Sequence, residues 1–193
     1  MEIRRLDISE LPQAIELVRL TYMACIQPNI NSKEQEGFFY EYIAEENLRK
    51  SMEQEELFLW GVVEGNLLLA VSAMTHLGQI TMLYVHPDFQ RRGFGHDLLL
   101  KMRKFADTER KLPTVCVNAS PAWTWKYFKK NHFELIDRRQ PINGPYVGMQ
   151  ADSIPIRDYK ERKLSEGTIL KTTLLFLAAI LLSSGAYLAF YFR

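Results

Sequence analysis

Two cysteines, Cys25 and Cys116, are all the thiol chemistry this 193-residue chain holds. They fall in a helical and a strand segment, which suits structural burial. A cytosolic domain would keep them reduced. Histidine is equally sparse, with His76, His86, His96 and His132. None pairs with another at helix or hairpin ligand spacing, so no metal is expected. An excess of one charge is missing too: 24 basic against 23 acidic residues leave a formal charge of +1. That gives no electrostatic basis for nucleic-acid binding. The first residues form a charged amphipathic strand and helix, so no signal peptide is expected.

What the chain does have is a glycine loop in an informative place. Ile80 to Val85 is an apolar, β-favouring run. Pro87 cannot donate to a sheet ladder and should end that strand. Gly93 and Gly95 allow a tight turn and bring backbone N–H groups close to a ligand. From Phe94 the apolar residues Leu98, Leu99, Met102 and Phe105 recur at helical spacing. A loop that feeds a helix N-terminus is an anion site, because the first N–H groups lack partners. Arg91 and Arg92 add positive charge, so a phosphate or pyrophosphate is the expected ligand.

Two common phosphate loops do not fit. A dinucleotide fingerprint needs a third glycine where Leu98 stands, and a Walker loop needs a Lys-Ser/Thr pair that does not follow. Gln90-x-x-Gly93-x-Gly95, directly after Leu-Tyr-Val-His-Pro, closely resembles the coenzyme A loop of the GNAT acetyltransferase superfamily. The resemblance extends over about residues 1–150 and includes Val-Asn-Ala-Ser-Pro at Val117 to Pro121. It implies an α/β (α+β) fold, a mixed central sheet flanked by helices. The segments fit that order. Glu2 to Leu6 reads as a strand. Ser9 is the expected helix N-cap, and Leu11, Ile15, Val18 and Tyr22 form a stripe. A second helical region spans about Ser32 to Met52. Leu57 to Val63 and Leu67 to Thr75 form a hairpin around Glu64 to Asn66. Thr114 to Asn118 is a strand, Pro121 to Asn131 a helix, and Phe133 to Asp137 and Tyr146 to Gln150 are closing strands.

The resemblance also implies site residues. The strand before the loop lies along pantetheine in the family, which gives Leu83, Tyr84 and Val85 cofactor contacts; backbone groups of Leu83 and Val85 inherit the thioester. Gln90, Arg91, Arg92, Gly93, Phe94, Gly95 and His96 inherit the pyrophosphate, and Asn118 and Phe128 complete the cofactor set. Departures matter as much. The family usually places a thiolate-protonating Tyr five residues before a Gly-Phe pair. Here the pair is His132-Phe133, and that position holds Phe128, which has no proton to give. Tyr127 is adjacent, but one residue turns a helix by about 100°, so it serves as acid only if the helix is shifted. Related sequences often carry an acidic base where Thr81 and Gln79 stand. His86 and His76 are the remaining base candidates, with water-mediated deprotonation the alternative. The acceptor loop is expected to include Gln27 to Ser32 with Phe38, Phe39 and Tyr42.

One long apolar run exists. Thr172 to Phe192 has no charged residue over 21 positions, roughly 30 Å of helix, the hydrocarbon thickness of a bilayer. A single membrane-spanning helix over 171–192 is expected, with a polar juxtamembrane linker over 151–170. Lys160, Arg162, Lys163 and Lys171 precede the run and only Arg193 follows. The positive-inside rule then places the catalytic domain in the cytoplasm, tail-anchored. Ser183, Ser184 and Gly185 would let two such helices pack closely as a homodimer. The expected activity is acetyl transfer from acetyl-CoA, as co-substrate, to an amine acceptor near the membrane. The alternatives are an acetyl-CoA sensor with weak turnover and a membrane scaffold that uses the fold as a platform.

Overall fold

A computed structural model of the chain describes residues 1–29, 33–140, 142 and 146–153. The expected linker and membrane helix lie outside the described residues. Among those described, seven strands form one mixed sheet in the order β1-β2-β3-β4-β5-β7-β6. The strands are β1 (Glu2–Arg5), β2 (Leu57–Glu64), β3 (Leu67–Thr75), β4 (Gln79–Val85), β5 (Thr114–Ala119), β6 (Glu134–Leu135) and β7 (Val147–Asp152). The helices are α1 (Leu11–Cys25), α2 (Lys33–Tyr42), α3 (Glu45–Glu53), α4 (Phe94–Thr108) and α5 (Trp125–Lys130). Every strand pair is antiparallel except β4 with β5.

Side chains alternate across a strand, and here both faces are covered. On β2, Phe58, Trp60 and Val62 enter one core with Leu98, Leu99 and Met102 of α4. Leu57 and Leu59 enter the other, with Leu11, Ile15 and Val18 of α1 and Leu48 of α3. Burial on both faces is why β2 reads as an unbroken apolar run. The Arg4 guanidinium donates to both Glu10 oxygens, at 2.8 and 2.7 Å, and ties β1 to the turn that opens α1. That bond holds the Glu10 carboxyl below its ordinary range.

The single helical region expected from Ser32 to Met52 is two helices. Ile43, 1% exposed, is drawn into the core at the break, and Ala44 is extended with ψ 128°. Burying Ile43 outweighs continuing the helix. The helix expected from Pro121 to Asn131 opens as a 3-10 turn over Ala122–Thr124 and becomes α-helical only at Trp125. The strand expected over Phe133 to Asp137 shortens to Glu134–Leu135, because Phe133, 1% exposed, packs in the core.

Candidate active site

The parallel strands β4 and β5 pair only at Gln79↔Cys116 and Ile80↔Val117. Beyond those residues β4 stays with β3, to Ala70↔Val85, and β5 stays with β7, to Ala119↔Val147. Their facing edges diverge into a wedge. A bulge starts it: Ala73 and Met74 of β3 face Met82 and Ile80, so Thr81 is an extra residue on β4. Bulges bend a strand and increase its twist. They also switch faces. Ile80 lies on the α4 side, Met82 and Tyr84 lie on the α1 side, and Leu83 and Val85 return to the α4 side.

The orientation of the free edge follows from one hydrogen bond. The His86 N–H donates to the Leu69 carbonyl of β3 at 2.9 Å. In an antiparallel ladder, alternate residues point the same way. The N–H groups of Tyr84 and Met82 therefore face β3, and those of Leu83 and Val85 face the wedge. The Val85 carbonyl agrees, since it accepts from the Gln90 side chain at 3.2 Å instead of from β3.

At the wedge mouth stands the N-terminus of α4. Its N-cap is Gly93, with φ 92° and no capping side chain. Arg91 is also left-handed, with φ 65°, and the Arg92 guanidinium lies 4.9 Å over the Phe89 ring. With no side chain at the cap, the first N–H groups of α4 are open to an anion. Phe94, 6% exposed, anchors the helix in the core, so only its N–H is available there. Asn118 is exposed on β5, one residue past the parallel ladder.

Tyr127 completes the arrangement. A β-carbon built on Gly95 would lie 2.7 Å from the Tyr127 hydroxyl oxygen and 3.7 Å from a Val85 methyl. The phenol, the β4 edge and the open helix N-terminus thus meet at one point, and only glycine at position 95 leaves room for the hydroxyl. Although Tyr127 is 37% exposed overall, its hydroxyl end is desolvated. Desolvation first, and the Asp97 charge second, push its pKa well above the ordinary tyrosine range.

A hydrogen-bond chain fixes this helix. Asn131 is 7% exposed, and its Nδ2 donates to the Tyr127 carbonyl at 2.8 Å. Its Oδ1 is left as acceptor, 2.6 Å from His96 Nδ1 in the first turn of α4. That network assigns the proton to His96 Nδ1. Asn131→Ala removes both side-chain hydrogen bonds, while the N–H of residue 131 still reaches the Tyr127 carbonyl at 3.2 Å, and is expected to cost about 1 kcal/mol of stability. The check is a lower urea midpoint with an unchanged m-value.

Five residues stand elsewhere than expected, the first being Tyr84, whose side chain lies on the α1 side and whose N–H faces β3 instead of the wedge. Phe128 turns away from the wedge: it is 7% exposed and packs edge-on to Phe133 at 5.5 Å, so its ring faces the core instead of the cofactor cleft. His86 caps the 3-10 turn Pro87–Phe89, where its Nδ1 accepts from the Asp88 N–H at 3.3 Å and its ring meets Phe89 edge-on. That ring is committed to the turn and is set aside as base. The Gln90 side chain staples the Val85 carbonyl and Cys25 Sγ, and its own N–H bonds Pro87, so it shapes the loop rather than offering a donor. His76 sits at the far end of the β3–β4 hairpin against the Glu56 carbonyl. Sequence reasoning did not assign Asn131 or Asp97; Asn131 is a buried polar residue, and its His96 partner lies 35 positions away in sequence.

A family model, the acetyltransferase (GNAT) domain, matches residues 26–151. The chain belongs to the GNAT acetyltransferase family. The family uses acetyl-CoA as donor, and solved relatives hold coenzyme A. The GNAT domain is similar to a PaiA N-acetyltransferase from Thermoplasma acidophilum solved with coenzyme A (19% identity, 78% of this chain and 98% of that one, TM-score 0.66). It is similar to an aminoglycoside 6'-N-acetyltransferase complexed with coenzyme A (14% identity, 80% and 98%, TM-score 0.58). A variant of a spermidine N-acetyltransferase from Vibrio cholerae is a third (14% identity, 79% and 93%, TM-score 0.55). At these identities the likeness is one of fold. No curated protein matches the chain.

Proposed function

We propose that this GNAT domain transfers the acetyl group of acetyl-CoA directly to an amine, with Tyr127 as the acid. The observation that carries the reading is the meeting of the Tyr127 hydroxyl, Val85 and the α4 N-terminus at Gly95. In this reading the N–H groups from Gly93 to His96, with Arg91 and Arg92, hold the pyrophosphate. The pantetheine arm lies along the free β4 edge. The N–H groups of Leu83 and Val85 that face the wedge are donors for it and for the thioester oxygen, and donors fixed in advance stabilise charge that develops there. The neutral amine attacks the thioester carbonyl, the carbon–sulfur bond breaks, and Tyr127 donates its proton to the departing thiolate. The nitrogen loses its proton to water, since neither His86 nor His76 is placed to take it.

The test is release of coenzyme A thiol by the full chain with acetyl-CoA and a broad amine set. Amine-dependent release supports transfer. Binding of acetyl-CoA without release across the set would favour the sensor alternative.

We also place the domain on a membrane, through the uncharged run 172–192, with the domain on the cytoplasmic side. The full chain is expected to stay with membranes through alkaline carbonate extraction. Its release into the supernatant would contradict this placement.

A further inference from the structure

Helix α1 is apolar nearly all the way round. Of its 15 residues, Glu16 and Arg19 alone are charged. One side, with Leu11, Ala14, Ile15 and Val18, is buried in the core between α1, α3 and the sheet. The other side does not turn charged, as the solvent face of a surface helix ordinarily does. Leu20 is 42% exposed and Met23 57%. With Pro12, Glu16 and Arg19 they line an open groove that extends to Glu45, the first residue of α3. Glu45 is paired with Arg49 at 2.6 Å. Among the described residues, neither Glu16 nor Arg19 has an ion-pair partner.

Each residue turns a helix by about 100°. Pro12, Glu16, Arg19 and Met23 therefore fall within about 60° of one another and form one stripe, with Leu20 at its edge. Along the axis the stripe runs apolar, acidic, basic, apolar. Pro12 lies four residues before Glu16, and Met23 lies four after Arg19. About the midpoint between the two charges, the apolar ends mirror each other and the charges are opposite. A second α1 laid antiparallel about that midpoint sets Glu16 of either copy against Arg19 of the other, and Pro12 against Met23. A parallel copy in the same register would face like charges with like.

We infer that this face of α1 is an interface with a second copy of the chain, the two α1 helices packing antiparallel about a twofold axis between Glu16 and Arg19. A twofold contact uses the same patch on both copies, so the patch must complement itself. This one does so in charge and in apolar character together. Covering Leu20 and Met23 removes apolar surface from water, and the two crossed ion pairs fix the register. A bilayer would take up Leu20 and Met23 but would give Glu16 no counter-charge, and a charge taken out of water is costly without one. The contact lies within the GNAT domain and is separate from the helix packing expected at Ser183, Ser184 and Gly185.

The test is sedimentation of the full chain in a neutral detergent, where the unaltered chain is expected to be dimeric. Glu16→Lys faces basic groups with basic groups across the axis. It is expected to raise the dimer Kd by about tenfold or more, because two ion pairs become two repulsions. Arg19→Glu faces acidic groups with acidic groups and should do the same. An equimolar mixture of the two variants should recover the dimer, since each supplies what the other lacks. Glu16→Lys and Arg19→Glu on one chain should also recover it, which shows that the single variants fold. A monomeric unaltered chain would overturn the inference. So would a mixture that does not pair. A dimer unmoved by either single exchange would place the contact on another surface, the tail included, and would overturn it as well.

Discussion

Tyr127→Phe is expected to lower kcat by roughly 10²–10⁴-fold, the usual contribution of a general acid, with acetyl-CoA affinity nearly unchanged. The substitution removes one oxygen and keeps the ring that packs edge-on to Phe128 at 5.4 Å, so the fold should persist. Gly95→Ala should reproduce much of the loss by a different route. Its methyl would fall 2.7 Å from the Tyr127 oxygen, and the side-chain end must move away. The decisive result is the combination. With the hydroxyl gone, the nearest atom is the ring carbon that bore it, at 3.4 Å, which a methyl tolerates with little movement. Gly95→Ala should therefore cost little more in the Tyr127→Phe background. That non-additivity is the signature of one shared interaction. Full additivity would separate Gly95 from the acid. The pH profile gives an independent check. Because desolvation and Asp97 hold Tyr127 protonated above its ordinary range, kcat should show no loss of the acid through pH 9–10, around which an unperturbed tyrosine begins to ionise.

Gly93→Glu is the second large effect, and it acts on binding. Gly93 caps α4 with φ 92°, a conformation costly for a side chain. A carboxylate there also sits where the helix N-terminus would hold a phosphate, with Asp97 Oδ2 3.9 Å from the new β-carbon. A carboxylate within about 4 Å of a bound phosphate would be repelled by about 4 kcal/mol per unit charge at an effective dielectric of 20. The acetyl-CoA Kd should then rise by at least about a hundredfold. Gly93→Asn separates charge from strain, since asparagine tolerates the left-handed region. It should bind within about tenfold of the unaltered chain. If both variants bind normally, the anion site is elsewhere.

The strand, loop and helix around Gly93 were legible because local rules agree there. An apolar run, a stopping proline, two glycines and a helical stripe all point the same way. What stayed hidden depends on tertiary packing. The bulge at Thr81 has no local marker, and it decides which of the β4 side chains face α4 and which face α1. The register of α5 is set by its late start at Trp125 and by Phe133 entering the core. Those two facts turn Phe128, the position reached by counting from Phe133, inward, and turn Tyr127 toward Gly95. His86 was assigned from its nearness to the loop, but its ring was drawn to the adjacent Asp88 N–H. Ile43 broke a helix whose spacing looked continuous.

The most direct measurement is amide hydrogen exchange with and without saturating acetyl-CoA. The account predicts new protection in peptides covering Thr81–Val85 and Gly93–Asp97, where strand N–H groups face the wedge and helix N–H groups are uncapped. Gly93→Glu should show no such protection at the same ligand concentration. Protection confined to other segments, or binding that leaves both of these unprotected, would contradict it.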